Sequence, residues 1–217
     1  LMRRNLWRNF DFLLFGAVIL MSIFGVIMIS SAIAGNEELA NAPQRQAIFV
    51  AIGLVVVIIM AAIDYHLWAS ISRFIYIFAF LVLFIIFVYG EARFGSARWI
   101  DTGVILIQPS EIVKILMIMV LAEHFDRTKD EKHGLRWILR SFLLTFGVVV
   151  WILLQPNLST SIVIFVIWFA LLWVSGLPIK YLVGLGFAAT ILFTLAFPFL
   201  ADYQQARILN FFFPNPE

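Results

Sequence analysis

The chain lacks cysteine altogether and has only three histidines, His66, His124 and His133. Disulfides, thiol nucleophiles and thiolate metal sites are therefore excluded. No H-x-x-x-H or comparable ligand spacing occurs, so a metal held by imidazole nitrogen is not expected either. Charge is equally scarce. Only 13% of the 217 residues are charged, where a soluble domain would carry about a quarter. The chain shows no internal repeat, no low-complexity tract, no G-x-x-x-G packing motif and no polar stretch long enough for a second, soluble domain.

What fills the sequence is apolar. Hydrophobic residues make up 63% of the chain, with 23 phenylalanines and a mean hydropathy of +1.02. Several apolar runs reach the roughly 18 residues that mark a membrane-spanning helix, and none alternates with the period of two that a membrane β-barrel requires. The expected fold is all-α, a polytopic integral membrane bundle forming a single domain over residues 1–217. Seven spans are expected, at about 10–34, 47–63, 68–90, 109–122, 141–154 and 162–174, with a seventh ending near residue 200. Arg3, Arg4 and Arg8 precede the first run, which at about 24 residues exceeds the 7–15 of a signal-peptide core. That run is read as a first span with its amino end in the cytoplasm.

The distribution of positive charge supports this orientation. Ten of the fifteen Lys and Arg residues fall in segments that seven alternating spans place inside, including the mixed-charge linker 123–140. The odd-numbered connections then face outward. These are a polar loop at 35–46, the segment 91–108, the turn Gln155-Pro156-Asn157-Leu158-Ser159-Thr160-Ser161, and the tail after residue 200. The last three of these, far apart in sequence, are thus expected to converge on one surface.

The segment from Glu91 to Lys114 organises the rest. It holds Gly95-Ser96, Arg98-Trp99 and Gln108-Pro109-Ser110, followed by Glu111 and Lys114 just inside the next apolar run. Pro109 suits a first helical turn, and Gln108 or Ser110 is placed to satisfy free N–H groups there. Glu111 and Lys114 are then i,i+3 neighbours. An ionisable pair within a span marks a functional site by default, or else a structural ion pair in a polar bundle interior. Arg98-Trp99 is either an interfacial anchor or a substrate contact. Residues 155–161 form a helix–helix turn, and Tyr203 with Arg207 belongs to an amphipathic interfacial segment.

At these residues the chain resembles the SEDS family (shape, elongation, division and sporulation). GSARW and IQPSEIVK resemble its G-A-x-R-W and I-Q-P-S-E-x-x-K signatures, and LLQPNLSTS its Q-P-D-L-G-T-[SA] segment. YQQARILNFFFP resembles its Y-Q-x-x-R-I-x-x-F-x-x-P loop opening. Arg45-Gln46 before the second span, and Asp11 and Ser30-Ser31 in the first, also fit. Asp64-Tyr65 leans towards the RodA branch rather than FtsW. Asn157 stands where the family carries aspartate, and Ser159 where it carries glycine.

The resemblance implies a peptidoglycan glycosyltransferase of the bacterial cytoplasmic membrane, polymerising lipid II at the outer face in cell elongation and shape control. It implies a ten-span fold, a class B penicillin-binding protein as partner, and surrounding membrane lipids; nucleic acid is not expected. The family's essential aspartate belongs to a P-E-x-H-T-D motif beyond Glu217, so these residues alone are expected to be inactive. Glu111 and Lys114 become supporting residues. Substrate contacts are expected from Arg45, Gln46, Arg98, Trp99, Gln108, Ser110, Asn157, Thr160, Tyr203 and Arg207. No cofactor is certain, and a divalent cation at the diphosphate stays open. Two other readings also remain open: a flippase for lipid-linked precursors, and a non-catalytic scaffold that binds the transpeptidase.

Overall fold

The computed structural model of the protein describes residues 10–33, 39–89, 91–93, 96–101, 106–155 and 157–212. Arg3, Arg4, Arg8, Gly95 and Pro156 lie outside the described residues. The chain falls into two compact units, Leu1–Trp68 and Ala69–Glu217.

The first unit holds two helices packed on each other, α1 (Phe12–Ala32) and α2 (Ala42–Ala62). Asp11 starts α1 by accepting the Leu14 N–H at 2.9 Å, and Pro43 occupies the first turn of α2. Proline is compatible with that turn because its missing N–H would have no intrahelical partner. This moves the start of α2 from the expected residue 47 to Ala42, so Arg45 and Gln46 are helical, and both are exposed. Neither helix contains a buried residue. At 21 residues each, they are long enough to cross a bilayer, and beyond Gln46 in α2 and throughout α1 they are predominantly apolar on all sides, so their surfaces suit lipid contact. After α2 the backbone N–H and ring of His66 bond to Asp64 at 2.9 and 2.7 Å and hold its carboxyl below the usual value.

The expected third span is broken by a turn at Ile71. A short α3 (Tyr65–Ser70) precedes α4 (Ser72–Tyr89), the first long helix of the second unit. Then come strands β1 (Glu91–Arg93), β2 (Ser96–Asp101) and β3 (Leu106–Ile107), followed by α5 (Pro109–Arg127), α6 (Leu135–Leu154), α7 (Leu158–Val174) and α8 (Ile179–Ala196). A 3₁₀ turn, Phe197–Phe199, and α9 (Asp202–Phe212) end the described chain. The strands form a small antiparallel sheet in the order β1-β2-β3, with Glu91 opposite Trp99 and Ile100 opposite Ile107. β2 lies against α4 and α5.

Helices α4 to α7 make a four-helix bundle, with α8 against α7. On α5, Val113, Met117, Leu121 and Phe125 recur every four residues and are all buried. They meet Ala79 and Leu83 of α4, Val148 and Ile152 of α6, and Ile164 and Leu172 of α7. Lipid is as apolar as this core, so close packing and small contact residues hold such helices together. Gly147 of α6 shows this: a Cβ there would lie 2.6 Å from the Tyr76 hydroxyl, which donates to the Leu144 carbonyl at 3.1 Å. Polar core groups are satisfied locally. The Ser141 and Thr145 hydroxyls donate to the Ile138 and Ser141 carbonyls, and Trp168 Nε1 donates to Ser141 Oγ at 3.0 Å.

Helix α5 reaches beyond its apolar run because charged residues at a membrane surface continue a helix through i,i+4 pairs, and α6 starts at Leu135 rather than at the expected Ser141. Glu123 and Arg127 pair at 2.6 Å on the last turn of α5. The α5–α6 connection is held by Trp137, whose Nε1 donates to Thr128 Oγ1 at 2.8 Å and whose ring stacks on His133. Among the described residues four helices meet the length and apolarity of a membrane span: α1, α2, α6 and α8 with its 3₁₀ extension. Helices α4 and α7 are apolar and slightly shorter, while α5 carries the charged residues that lower its hydropathy. The chain is an all-helical, multi-pass membrane bundle, with the short sheet confined to one connection.

Candidate functional site

The site is built where α5 and α7 begin. Both start at the same end of the bundle, because α6 runs back between them and closes at Gln155. Asn157 is the N-cap of α7: its Oδ1 accepts the Thr160 N–H at 3.3 Å. Its Nδ2 donates to Ser110 Oγ, also at 3.3 Å, so one buried amide ties α7 to the first turn of α5. The exposures are 5% for Asn157 and 1% for Ser110, so these contacts lie out of reach of solvent. Ser161 Oγ donates to the Asn157 carbonyl at 3.0 Å. Gln155, also buried, donates its Nε2 to the Leu83 carbonyl at 3.0 Å, fastening the end of α6 to α4.

This corrects the expected capping of α5. Gln108 occupies the N-cap position but its side chain makes no capping bond. Ser110 is instead engaged across the bundle by Asn157. Proline at position 109 removes one N–H that would need a partner, which lowers the demand for a cap.

Glu111 and Lys114 follow on the outer side of α5. Lys114 Nζ donates to Glu111 Oε2 at 2.8 Å. Their side chains are 23% (lysine) and 54% (glutamate) exposed, so the pair sits at the edge of the packed core and can be approached. The electrostatics favour an anion beside it. Two helix amino ends lie side by side, each equivalent to about half a positive charge, with the Lys114 ammonium about one turn further in. Glu111 offsets part of this field and fixes the ammonium by their bond.

Of the expected substrate contacts, Ser110, Asn157 and Thr160 are brought into one cluster, with Gln108, Glu111 and Lys114 adjoining on α5. Arg98 and Trp99 lie on β2, which packs against α5; their side chains lie outside what is described. Tyr203 and Arg207 are four residues apart on α9 and so share a helical face, but their side chains too are outside the described set. Arg45 and Gln46 belong to α2 in the first unit. Gln155 is the site residue that motif reading passed over as part of a turn, and the signal was its place directly before Pro156-Asn157. Among the described residues no three His, Asp or Glu side chains gather as metal ligands.

The class of protein this fold defines is a multi-pass helical membrane bundle, here with a buried polar bridge between two helix amino ends and an ion pair beside it. The family profile described as cell cycle protein (FtsW/RodA/SpoVE) matches residues 11–217. The chain belongs to this family, and it is a protein of the bacterial cytoplasmic membrane. It is 30% identical over 206 residues to a probable peptidoglycan glycosyltransferase FtsW from Escherichia coli O6:H1, an alignment covering 89% of this chain and 48% of that protein. It also resembles a chain in a peptidoglycan synthase complex that coordinates polymerization and crosslinking, with a TM-score of 0.77 and 26% identity over 95% of this chain and 60% of the other. The rod shape determining protein RodA of Thermus thermophilus gives a TM-score of 0.70 at 26% identity, covering 86% of this chain and 60% of that one. The chain spans about half the length of the curated relatives it matches.

Proposed function

We propose that the protein is a peptidoglycan glycosyltransferase that polymerises lipid II at the outer face of the cytoplasmic membrane, working with a class B penicillin-binding protein. The observation that carries this reading is the pair of helix amino ends joined by Ser110 and Asn157, with Lys114 beside them. Transfer from a polyprenyl diphosphate leaves a diphosphate, and positive charge aimed at that group lowers the barrier. Preorganised donors act most strongly where they need not rearrange, and here the buried amide locks the two helices in place. Lys114 supplies the charge and Glu111 orients it.

The acceptor 4-hydroxyl needs a base. By family resemblance this is the aspartate of the P-E-x-H-T-D segment, which is not among these 217 residues. The amino terminus is cytoplasmic in this reading, with residues 1–217 forming one membrane domain and the site opening to the outside. Lean towards the elongation branch rests on Asp64-Tyr65.

The test uses the complete gene product, purified with its transpeptidase partner and supplied with lipid II. Glu111→Ala and Lys114→Ala are each expected to reduce glycan-strand synthesis at least about tenfold, or about 1.4 kcal/mol of transition-state stabilisation. The pair is partly exposed, so its loss should cost less than about 1 kcal/mol of stability. Unchanged polymerisation by both variants would overturn the proposal, and lipid II translocation without polymerisation would replace it with a flippase.

A further inference from the structure

We propose that a second site, a cavity of about 170 Å³ between the start of α4 and the end of α5, binds the phosphate-bearing headgroup of an anionic membrane lipid. It is bounded by Arg73 and Tyr76 of α4, Glu123, His124 and Arg127 of α5, and Leu144 of α6. Glu123 lies thirteen positions beyond Ser110 on the same helix, about 20 Å along its axis. The cavity is therefore separate from the site at the helix amino ends.

Its chemistry points to a phosphate on a lipid. Arg73 is exposed and has no hydrogen-bond or ion-pair partner among the described residues. The Glu123 carboxylate is already occupied: Arg127 Nη2 and Nε both donate to its Oε1, at 2.6 and 3.2 Å. With that pair neutral, Arg73 leaves the cavity a net positive charge. Arg127 is still exposed and retains donors for a further acceptor. His124 lines the cavity, and its Nε2 is enclosed without a hydrogen-bond partner among the described residues. A buried ring nitrogen left unpaired is costly, and a ligand oxygen or its bridging water would satisfy it.

The amino end of α4 begins at Ser72, beside Arg73, and adds a favourable dipole for an anion. Leu144 and the Tyr76 ring supply an apolar wall that a free phosphate would not use but a glycerol backbone and acyl chain would. The charges of Asp126, Arg127 and Lys129 mark where α5 leaves its apolar run. Positive charge concentrated on this side of the chain places the cavity at the cytoplasmic leaflet. Basic pockets between membrane helices on that leaflet recognise lipid headgroups. The proposal stands on the cavity and its charges and does not depend on the glycosyltransferase reading.

The experiment places the purified protein in nanodiscs of phosphatidylcholine with and without phosphatidylglycerol, reading thermal stability and lipid retention by native mass spectrometry. Phosphatidylglycerol should raise stability and be retained. Arg73→Gln should lower its apparent affinity about fivefold, equivalent to about 1 kcal/mol for one arginine near a membrane surface. Glu123→Gln removes the competing carboxylate and should raise retention, a change of opposite sign that a folding defect would not produce. Lys132→Gln, which removes one exposed charge outside the cavity, should leave retention unchanged. Equal losses in Arg73→Gln and Lys132→Gln would refute the site, as would inorganic phosphate reproducing the stabilisation in pure phosphatidylcholine discs.

Discussion

The buried amide of Asn157 offers the sharpest test of how this bundle is held together. Asn157→Ala removes two interactions at once. Loss of an N-cap costs about 1 kcal/mol, within a range of about 0.5–2. Ser110 Oγ, at 1% exposure, also loses its Nδ2 donor, and a buried polar group left unpaired costs about 1–3 kcal/mol. The expected destabilisation is therefore about 2–4 kcal/mol. Asn157→Asp restores the residue found in the family's Q-P-D-L segment. The carboxylate keeps the acceptor for Thr160 N–H, gains about 0.5 kcal/mol from the helix amino end, and lets the Ser110 hydroxyl turn round and donate. Desolvation of the charge opposes these gains, so Asn157→Asp should stay within about 1 kcal/mol of the parent. The assay is equilibrium unfolding of the purified protein in mixed micelles with increasing sodium dodecyl sulfate, run as a double-mutant cycle with Ser110→Ala. Residues in contact couple by about 0.5–3 kcal/mol, so the double variant should lose less than the sum of its parts. Additive losses, or an Asn157→Asp variant as unstable as Asn157→Ala, would refute the bridge between α5 and α7.

The Glu111 and Lys114 variants, and the opposed Arg73 and Glu123 variants, probe the two ends of α5 by activity and lipid retention respectively. Two further expectations concern packing alone. Gly147→Ala places a methyl group 2.6 Å from the Tyr76 hydroxyl. It should cost about 1–3 kcal/mol by overpacking, seen as a lowered melting temperature, and Tyr76→Phe should recover part of the loss because the clashing oxygen is gone. Gly176 adopts a φ of +82° in the turn between α7 and α8, so Gly176→Ala should destabilise by about 1–2 kcal/mol. Gly134→Ala, with open space around its Cβ position, serves as its comparison in the same melting assay.

The site has a division of labour that follows from burial. Ser110, Asn157 and Gln155 are sealed from solvent and act on helix position; Glu111 and Lys114 are accessible and act on what approaches. A polar group inside a membrane bundle must find a partner or bear its desolvation. The three sealed residues find theirs in one another, in the α7 backbone and in Leu83. Their hydrogen bonds set the spacing of the two helix amino ends, which gives the site its field. Mutations in the sealed set should therefore reduce stability and activity together, whereas mutations of the accessible pair should separate them.

Composition and run length alone determined that the chain is an all-helical membrane protein, because no other fold lets such long apolar runs satisfy their backbone within lipid. Local spacing was sufficient for the Glu111–Lys114 pair, since i,i+3 residues meet on any helix. The motif spacing also marked both halves of the polar cluster. Tertiary structure decided the rest. Ser110 and Asn157 are 47 positions apart, and Gln155 and Leu83 are 72 apart; only the return path of α6 between α5 and α7 brings them together. Nor did periodicity reveal which faces pack. A helix in lipid is apolar on both its protein and its lipid sides, so the contrast that marks a buried face in water is absent. The break at Ile71, the extension of α5 to Arg127 and the cavity beside Arg73 likewise depend on capping and on neighbours. Hydropathy reports how much of a segment lies in the membrane, and packing decides what each side chain meets there.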